Sequence, residues 1–389
     1  MVQSGEVVLA RIEHILFGQP AAAALAELAT RRDSQRVFLA ASDSLRSGTG
    51  EIAAIEAALA DRWAGTWSGM RPHAPRSDVI ALTTAVRAAE ADLIVAIGGG
   101  SLVDAVKIVA LALANDVATA DGLDALANKV IDGRVVQPML REPSVRVICV
   151  PTTLSGGEFG PGAGALEERS KVKQGFLHPA MAPWAIVLDP ALTRHTPEWL
   201  WLSTGVRSLD HAIETLASFR SNQVADGAAE TAIRLLVAGL QGSKDDPADL
   251  DARLNCQLGA WQSMLPLVSG IPMGASHAIS HAVGSTHGVP HGHTSCVMLP
   301  AVLAWSADHD RGRQERISAA LGMAGETAAD ALRDLLLALG LPTRLRDVGV
   351  SEGDFPELAR KAMANQWIRT GPRPVDTPED AMVSLRLAA

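Results

Sequence analysis

The sequence predicts two domains of different class, an α/β domain over 1–190 and an all-α domain over 191–389. Three observations carry this. Short apolar runs alternate with helical patterns through the first half. Three consecutive glycines follow one of those runs and open a helix. From about Pro197 onward the pattern is almost wholly helical.

Taken in order, 36–42 reads as a strand, 52–63 and 78–91 as helices, and 92–97 as a continuous apolar strand. Such a run is the mark of a strand buried on both faces of a parallel sheet. Residues 102–114 read as a helix, 145–150 as a third strand and 185–188 as one more. In the second half the helical candidates are 198–219, 228–240, 250–265, 295–307, 316–323, 328–339 and 355–366. Breaks fall at 340–342 and 371–374, where Gly and Pro cluster.

Composition narrows the function classes. The chain has 389 residues, 48% of them hydrophobic and 20% charged, enough to bury a large core. A net charge of −9 argues against a nucleic-acid backbone or an anionic membrane as partner. There is no tyrosine, so any acid–base role falls to other side chains. The cysteines Cys149, Cys256 and Cys296 are scattered and odd in number, as reduced thiols are. With no signal-type N-terminus and no long apolar run, a cytoplasmic location is expected.

The glycine turn is Gly98-Gly99-Gly100-Ser101. Glycines let a phosphate approach the backbone, and free N–H groups at a helix N-terminus favour an anion. Ser101 is expected to cap the helix and reach a phosphate. Asp104 and Lys107 on that helix have the spacing of a solvated ion pair. A second segment, Pro151-Thr152-Thr153-Leu154-Ser155-Gly156-Gly157-Glu158, leaves the third strand at the sheet's carboxyl edge, the usual ligand crevice. Read alone it is an ordinary polar loop.

Histidines concentrate in 277–293. His277 and His281 are four apart and share a helical face, and His291 follows a Gly-Val-Pro break that lets it fold back. Upstream, Arg207 and His211 are one turn apart on another helix. Imidazoles from two helices can converge on a metal or act around a carbonyl. His287 and His293 read as ordinary surface or core residues.

Together, Gly98-Gly-Gly-Ser-x-x-Asp104-x-x-Lys107, Pro151-Thr-Thr, the segment 205–214 and His277 to His291 resemble the group III, iron-containing alcohol dehydrogenase family of the dehydroquinate-synthase-like fold. The resemblance implies an NAD(P)-binding α/β domain, a helical catalytic domain, a site in the cleft between them, and a homodimer. The apolar helical domain and the segment 6–10 leave room for such an interface. The family's three metal-binding histidines match His211, His277 and His291, but its aspartate position is Arg207 here. A guanidinium has no lone pair and stays cationic, so no metal is expected. Asp210 lies about 60° off the direction of Arg207 on a helix and would need a local distortion to substitute. The subgroup resembled best is the maleylacetate reductases, which work without metal.

The resemblance also implies how the reaction would run. NADH or NADPH is expected to lie with its pyrophosphate on Gly98, Gly99, Gly100 and Ser101, with Thr152 and Thr153 near the nicotinamide and Lys173 on a ribose hydroxyl. Asp104 belongs to the same cofactor set. Ser42 occupies the position that often carries a 2′-hydroxyl-binding aspartate, so NADPH is tolerated, whereas a one-residue slip to Asp43 would favour NADH. Arg207 or a protonated histidine is expected to stabilise charge on the substrate oxygen, and Arg207 suits a carboxylate-bearing small molecule. His281 is the candidate proton donor, with His211, His277 and His291 completing the catalytic set. The alternatives are a metal-dependent alcohol dehydrogenase with an altered ligand set, a cyclase or lyase on the same fold, and a catalytically degenerate nucleotide-binding protein.

Overall fold

A computed structural model describes residue 7, residues 9–131 and residues 134–389. Glu6 and Val8 of the segment 6–10 lie outside the described residues. The chain divides into two compact units, one spanning Ala10–His195 and one built on Thr196–Ala389.

The first unit is organised on a six-stranded parallel sheet. Its strands are β1 (His14–Phe17), β2 (Val37–Ala41), β3 (Trp63–Trp67), β4 (Leu93–Gly98), β7 (Arg146–Pro151) and β10 (Ala185–Leu188), in the order β1-β10-β7-β4-β2-β3. Two antiparallel hairpins stand outside it, β5 (Lys129–Ile131) with β6 (Arg134–Val136), and β8 (Gly162–Glu167) with β9 (Val172–Leu177). Every residue of β2, β4 and β10 is buried, as apolar strands covered on both faces must be. Helices α1 (Ala21–Arg31), α2 (Asp43–Gly48), α3 (Glu51–Leu59), α4 (Arg76–Ala88) and α5 (Gly100–Ala114) make the crossovers, and the short α6 (Pro190–Thr193) follows β10. Leu25 and Leu28 of α1 and Ile52 and Ile55 of α3 share one core with Val37, Leu39, Val95 and Ile148 of the sheet.

The chain departs from its sequence pattern in several places. The helix expected over 52–63 ends at Leu59. Ala60 takes a positive φ of 50° and the chain enters β3 at Trp63. Strands β1 and β3 escape a reading by apolar runs because they are the half-exposed sheet edges. Hairpin β8–β9 escapes it because Gly162-Ala163-Gly164-Ala165 offers little apolar alternation.

The second unit is helical: α7 (Glu198–Ala217), α8 (Gln223–Asp245), α9 (Leu250–Val268), α10 (Ala275–His287), α11 (His291–Ser306), α12 (Arg311–Ala320), α13 (Ala328–Ala338), α14 (Phe355–Ala362) and α15 (Pro378–Leu387). Val283, Val297, Leu358 and Leu385 come from four of these helices into one core. The chain passes close to α7 at Gly292. A Cβ there would lie 2.5 Å from the Ser203 carbonyl, so only glycine admits this approach of α11 to α7. No helix among the described residues is long and apolar enough to cross a membrane.

Candidate active site

Strands β2, β4 and β7 are adjacent and end side by side, so the residues that follow them cluster at one sheet edge. Gly98 ends β4 opposite Pro151 of β7, and the Thr152 N–H donates to the Gly98 carbonyl at 3.0 Å. Ser42 follows β2, with its N–H on the Ile97 carbonyl at 3.0 Å; Asp43 is exposed on α2. A Cβ on Gly99 would lie 3.3 Å from Thr153 Cγ2, and one on Gly100 would lie 2.8 Å from Ser155 Oγ. Helix α5 starts with Gly99 as its N-cap and has no side-chain cap. The Ser155 hydroxyl is buried without a partner among the described residues. An uncapped helix N-terminus, small residues and a waiting hydroxyl fit a pyrophosphate.

Ser101 does not cap α5. It is the second residue of the helix and its hydroxyl accepts from the His73 N–H at 2.9 Å. Asp104 pairs with Lys173 of β9 at 3.1 Å rather than with Lys107. Lys107 is fully buried and donates to the carbonyls of Gly157 (2.8 Å), Gly160 (2.9 Å) and Gly162. The solvated Asp104–Lys107 pair expected from spacing is therefore absent. Lys107 instead ties down the loop that follows Thr152 and Thr153, and burial pulls its pKa down. Beside it, burial raises the Glu158 carboxyl from 4.5 to about 7.

In the helical unit, Arg207, His211 and Glu214 recur along α7 at spacings of four and three, so they form one stripe. Arg207 Nη1 donates to Ser295 Oγ of α11 at 3.0 Å and lies 3.6 Å from Asp210 Oδ2. Ser295 and Ser276 both donate to Asp210 Oδ2, at 2.7 and 3.1 Å. Asp210, set aside from sequence on angular grounds, is thus fully buried at the centre of the cluster without helix distortion. It faces the serines of α10 and α11 and the flank of Arg207. Glu214 accepts from the N–H groups of Gly274 and Ser276 at the start of α10 and from His277 Nδ1 at 2.7 Å.

The imidazoles converge. Ring centroids are 4.9 Å apart for His211 and His277, 6.4 Å for His277 and His281, and 5.8 Å for His281 and His291. Trp367 stands over His277 and His281 at 6.1 and 5.9 Å. Asn365 contacts His281 Nδ1 at 3.1 Å, and Arg207 Nη2 lies 3.4 Å from His281 Nε2. His211 and His277 are buried, His281 is half-buried and His291 is exposed. His293 lies apart, 5.7 Å from Trp199 with the two rings tilted by 57°. Burial, with the neighbouring His277, Arg207 and His281, drives the His211 pKa well below its ordinary value, so it is neutral. Burial and Arg207 oppose protonation of His277, but Asp210 and Glu214 outweigh them and raise its pKa. Burial disfavours the Asp210 anion, yet His277, Arg207 and Ser295 hold its pKa down.

Asp210, Glu214 and His277 bring three donor atoms within 4.8 Å of one another, the arrangement a metal ion requires. The remaining geometry does not fit a divalent ion. His277 Nδ1 is committed to Glu214, and Asp210 lies on that same side of the ring, 3.4 Å from Nδ1. An ion bound to Asp210 would sit against the Arg207 guanidinium. His277 Nε2 and His211 Nδ1 are buried without partners among the described residues, but an ion there would lack the family's carboxylate. Sequence reasoning did not single out Glu214, Ser295 or Asn365. The first was legible as the seventh residue after Arg207 on one helix face, whereas the other two come from distant segments.

A glycine turn at the sheet edge thus lies in one unit and a guanidinium–imidazole cluster in the other. Residues 13–190 match the family described as iron-containing alcohol dehydrogenase, and residues 201–388 match the C-terminal part of the Fe-containing alcohol dehydrogenase family. The chain belongs to this family. It is 34% identical over 373 residues to dehydrogenase ALT3 of Alternaria alternata, covering 87% of this chain and 95% of that protein. It is 29% identical over 376 residues to the maleylacetate reductase of Sphingobium indicum, covering 95% and 93%. The crystal structure of maleylacetate reductase from Rhizobium sp. superposes with a TM-score of 0.83 at 26% identity, covering 100% of this chain and 98% of that one.

Proposed function

We propose that this oxidoreductase uses NADH or NADPH to reduce a carbonyl or enone group of a carboxylate-bearing small molecule, and that it does so without a metal ion. The observation that carries the reading is the half-buried Arg207 guanidinium, braced by Asp210 and Ser295 and directed at His281. The reaction class is the one the similar maleylacetate reductases are named for.

The bound nicotinamide supplies a hydride. On the chain's side, Gly98, Gly99, Gly100 and the start of α5 bind its pyrophosphate, and Thr152, Thr153, Ser155 and Lys173 flank that turn. Ser42, not Asp43, lies against Gly98, which favours tolerance of a 2′-phosphate. As hydride adds to carbon, the π electrons move to the substrate oxygen. Arg207 meets that charge with a fixed cation in a desolvated place, where such donors have their largest effect. A proton from solvent completes the product. Arginine also holds a carboxylate in two parallel hydrogen bonds, which suits an acid substrate.

The test is Arg207→Ala, with Arg207→Lys as control, assayed on a panel of oxo- and enone carboxylic acids. Loss of one such donor costs about 10²–10³ in kcat. The alanine variant is expected to lose at least that much while its NADH affinity is unchanged. Wild-type turnover and substrate affinity in Arg207→Ala would overturn the reading.

A further inference from the structure

We infer that Arg46, with Ser42 and Ser68, forms a seat for the 2′-phosphate of NADPH, so that this chain binds NADPH in preference to NADH. The inference takes the dinucleotide's place at the glycine turn from the proposed function and does not depend on the substrate named there.

The strand order lays the seat out. Strand β4 lies beside β2, and β2 beside β3. Ile97 of β4 is level with Ala41, and Ala40 is level with Trp67 at the end of β3. Ser42 and Ser68, the next residues after β2 and β3, therefore stand at the same sheet edge as Gly98. A Cβ on Gly98 would lie 3.4 Å from Ser42 Cβ. With the pyrophosphate on the glycine turn, the neighbouring strand end is where the adenosine ribose falls, and a carboxylate there is what reads a 2′-hydroxyl. This chain puts an uncharged serine at that place, and its side chain does not cap α2.

Arg46 lies one helical turn beyond Ser42, with its N–H on the Ser42 carbonyl at 3.1 Å. Its Nη1 donates to Ser68 Oγ at 3.2 Å. Among the described residues no carboxylate pairs with Arg46, and Asp43, the one acid of α2, is exposed and forms no ion pair with it. Arg71, on the loop after β3, is by contrast held by Asp78 at 2.8 Å and Glu168 at 3.2 Å. Arg46 is thus a guanidinium braced by one hydroxyl, with its charge uncompensated and its other donors open to solvent. A phosphate monoester takes parallel hydrogen bonds from such a fork and further ones from hydroxyls. A bare 2′-hydroxyl carries no charge to meet it. Arg46 is in this reading a specificity-determining residue for the cofactor.

Calorimetric titration of the full-length protein with NADPH and with NADH reads the seat without turnover. The wild type is expected to bind NADPH at least about tenfold more tightly than NADH, the scale of hydrogen bonds between charged groups. In Arg46→Ala that ratio is expected to fall to about twofold or less, through weaker NADPH binding, while NADH binds as before. Arg46 is exposed, so its loss leaves the fold intact, and the retained NADH affinity checks this. A wild type that binds NADH as tightly as NADPH overturns the inference, and so does an Arg46→Ala protein with the wild-type ratio. Failure of both dinucleotides to bind would overturn their placement at the glycine turn and the seat with it. If NADPH is preferred through Arg46 but no acid in the panel is reduced, the seat stands and the reductase reading falls.

Discussion

Replacing Glu214 by glutamine tests whether the buried carboxylate organises the histidine helix. Glu214 is 6% exposed. Its Oε1 accepts from the Ser276 N–H at 2.7 Å, and its Oε2 accepts from the Gly274 N–H at 2.8 Å and His277 Nδ1 at 2.7 Å. In Glu214→Gln one of these oxygens becomes an amino group. Placed at Oε2 it confronts two donors, so it settles at Oε1 and leaves the Ser276 N–H opposed. One buried unsatisfied donor costs about 1–3 kcal/mol. Loss of a negative charge at the N-terminus of α10 adds about 0.3–1 kcal/mol. At about 2–4 °C per kcal/mol for a unit of this size, the melting transition of the helical unit is expected to fall by about 5–10 °C. Calorimetry followed in parallel with far-UV circular dichroism measures it. The gap also depends on pH. The raised His277 pKa contributes stability that is fully present below the ordinary 6.5 and lost as pH rises through the folded value, so the variant lies closest to wild type on the alkaline side. A transition within about 1 °C of wild type would refute the claim that this carboxylate holds the start of α10 and His277.

Two further outcomes are expected. The buried Glu158 titrates at about 7 in the fold and 4.5 unfolded, so its contribution to stability is present below pH 4.5 and lost as pH rises to about 7. Urea unfolding from pH 4 to 8 is expected to show wild type declining relative to Glu158→Gln across that window, and parallel curves would refute the assignment. Arg207→Asp exchanges the guanidinium for a carboxylate beside Asp210 and three imidazoles. It is expected to bind zinc stoichiometrically by elemental analysis and to gain thermal stability from added Zn²⁺ where the wild type does not. Equal metal content in the two proteins would remove Arg207 as the barrier.

Legibility in the sequence tracks the range of the forces involved. The strands at 92–97, 145–150 and 185–188 are readable because double-sided burial imposes an uninterrupted apolar run, and β4, β7 and β10 lie where those runs lie. The glycine turn is readable because a close-approach requirement leaves glycines in a row. The convergence of His277 and His281 is readable because four residues make one helical turn. Contacts made by distant segments are a different matter. Nothing local tells that the ammonium of Lys107 will be met by three carbonyls from residues 157–162. Nothing near His281 announces Asn365, which reaches it from beyond α14. The short strands β1 and β3 fail to register because sheet edges need only half an apolar pattern.

The charge of the helical cluster bears on which ligands it admits. Arg207 is mostly but not fully buried, with 11% of its side chain exposed, and although burial pulls its pKa down, Asp210 and Glu214 oppose that pull and an arginine stays protonated. Two carboxylates therefore face one permanent cation and one imidazole, His277, whose proton they favour. With His277 protonated the buried charges balance, and the carboxylate oxygens facing Arg207, Ser276, Ser295 and His277 are already receiving a hydrogen bond or an ion pair. A divalent cation would have to displace the His277 proton and sit beside the Arg207 guanidinium, which on the proposed metal-free reading is the barrier to it. An anionic oxygen would instead meet Arg207, whose side chain keeps 11% exposure, without adding positive charge to the cluster. Arginine at position 207 is thus proposed to do more than replace the family's aspartate. On the proposed reading, the electrophilic point of the site is the guanidinium edge beside His281 in place of an ion among the imidazoles, and the substrate oxygen is expected there.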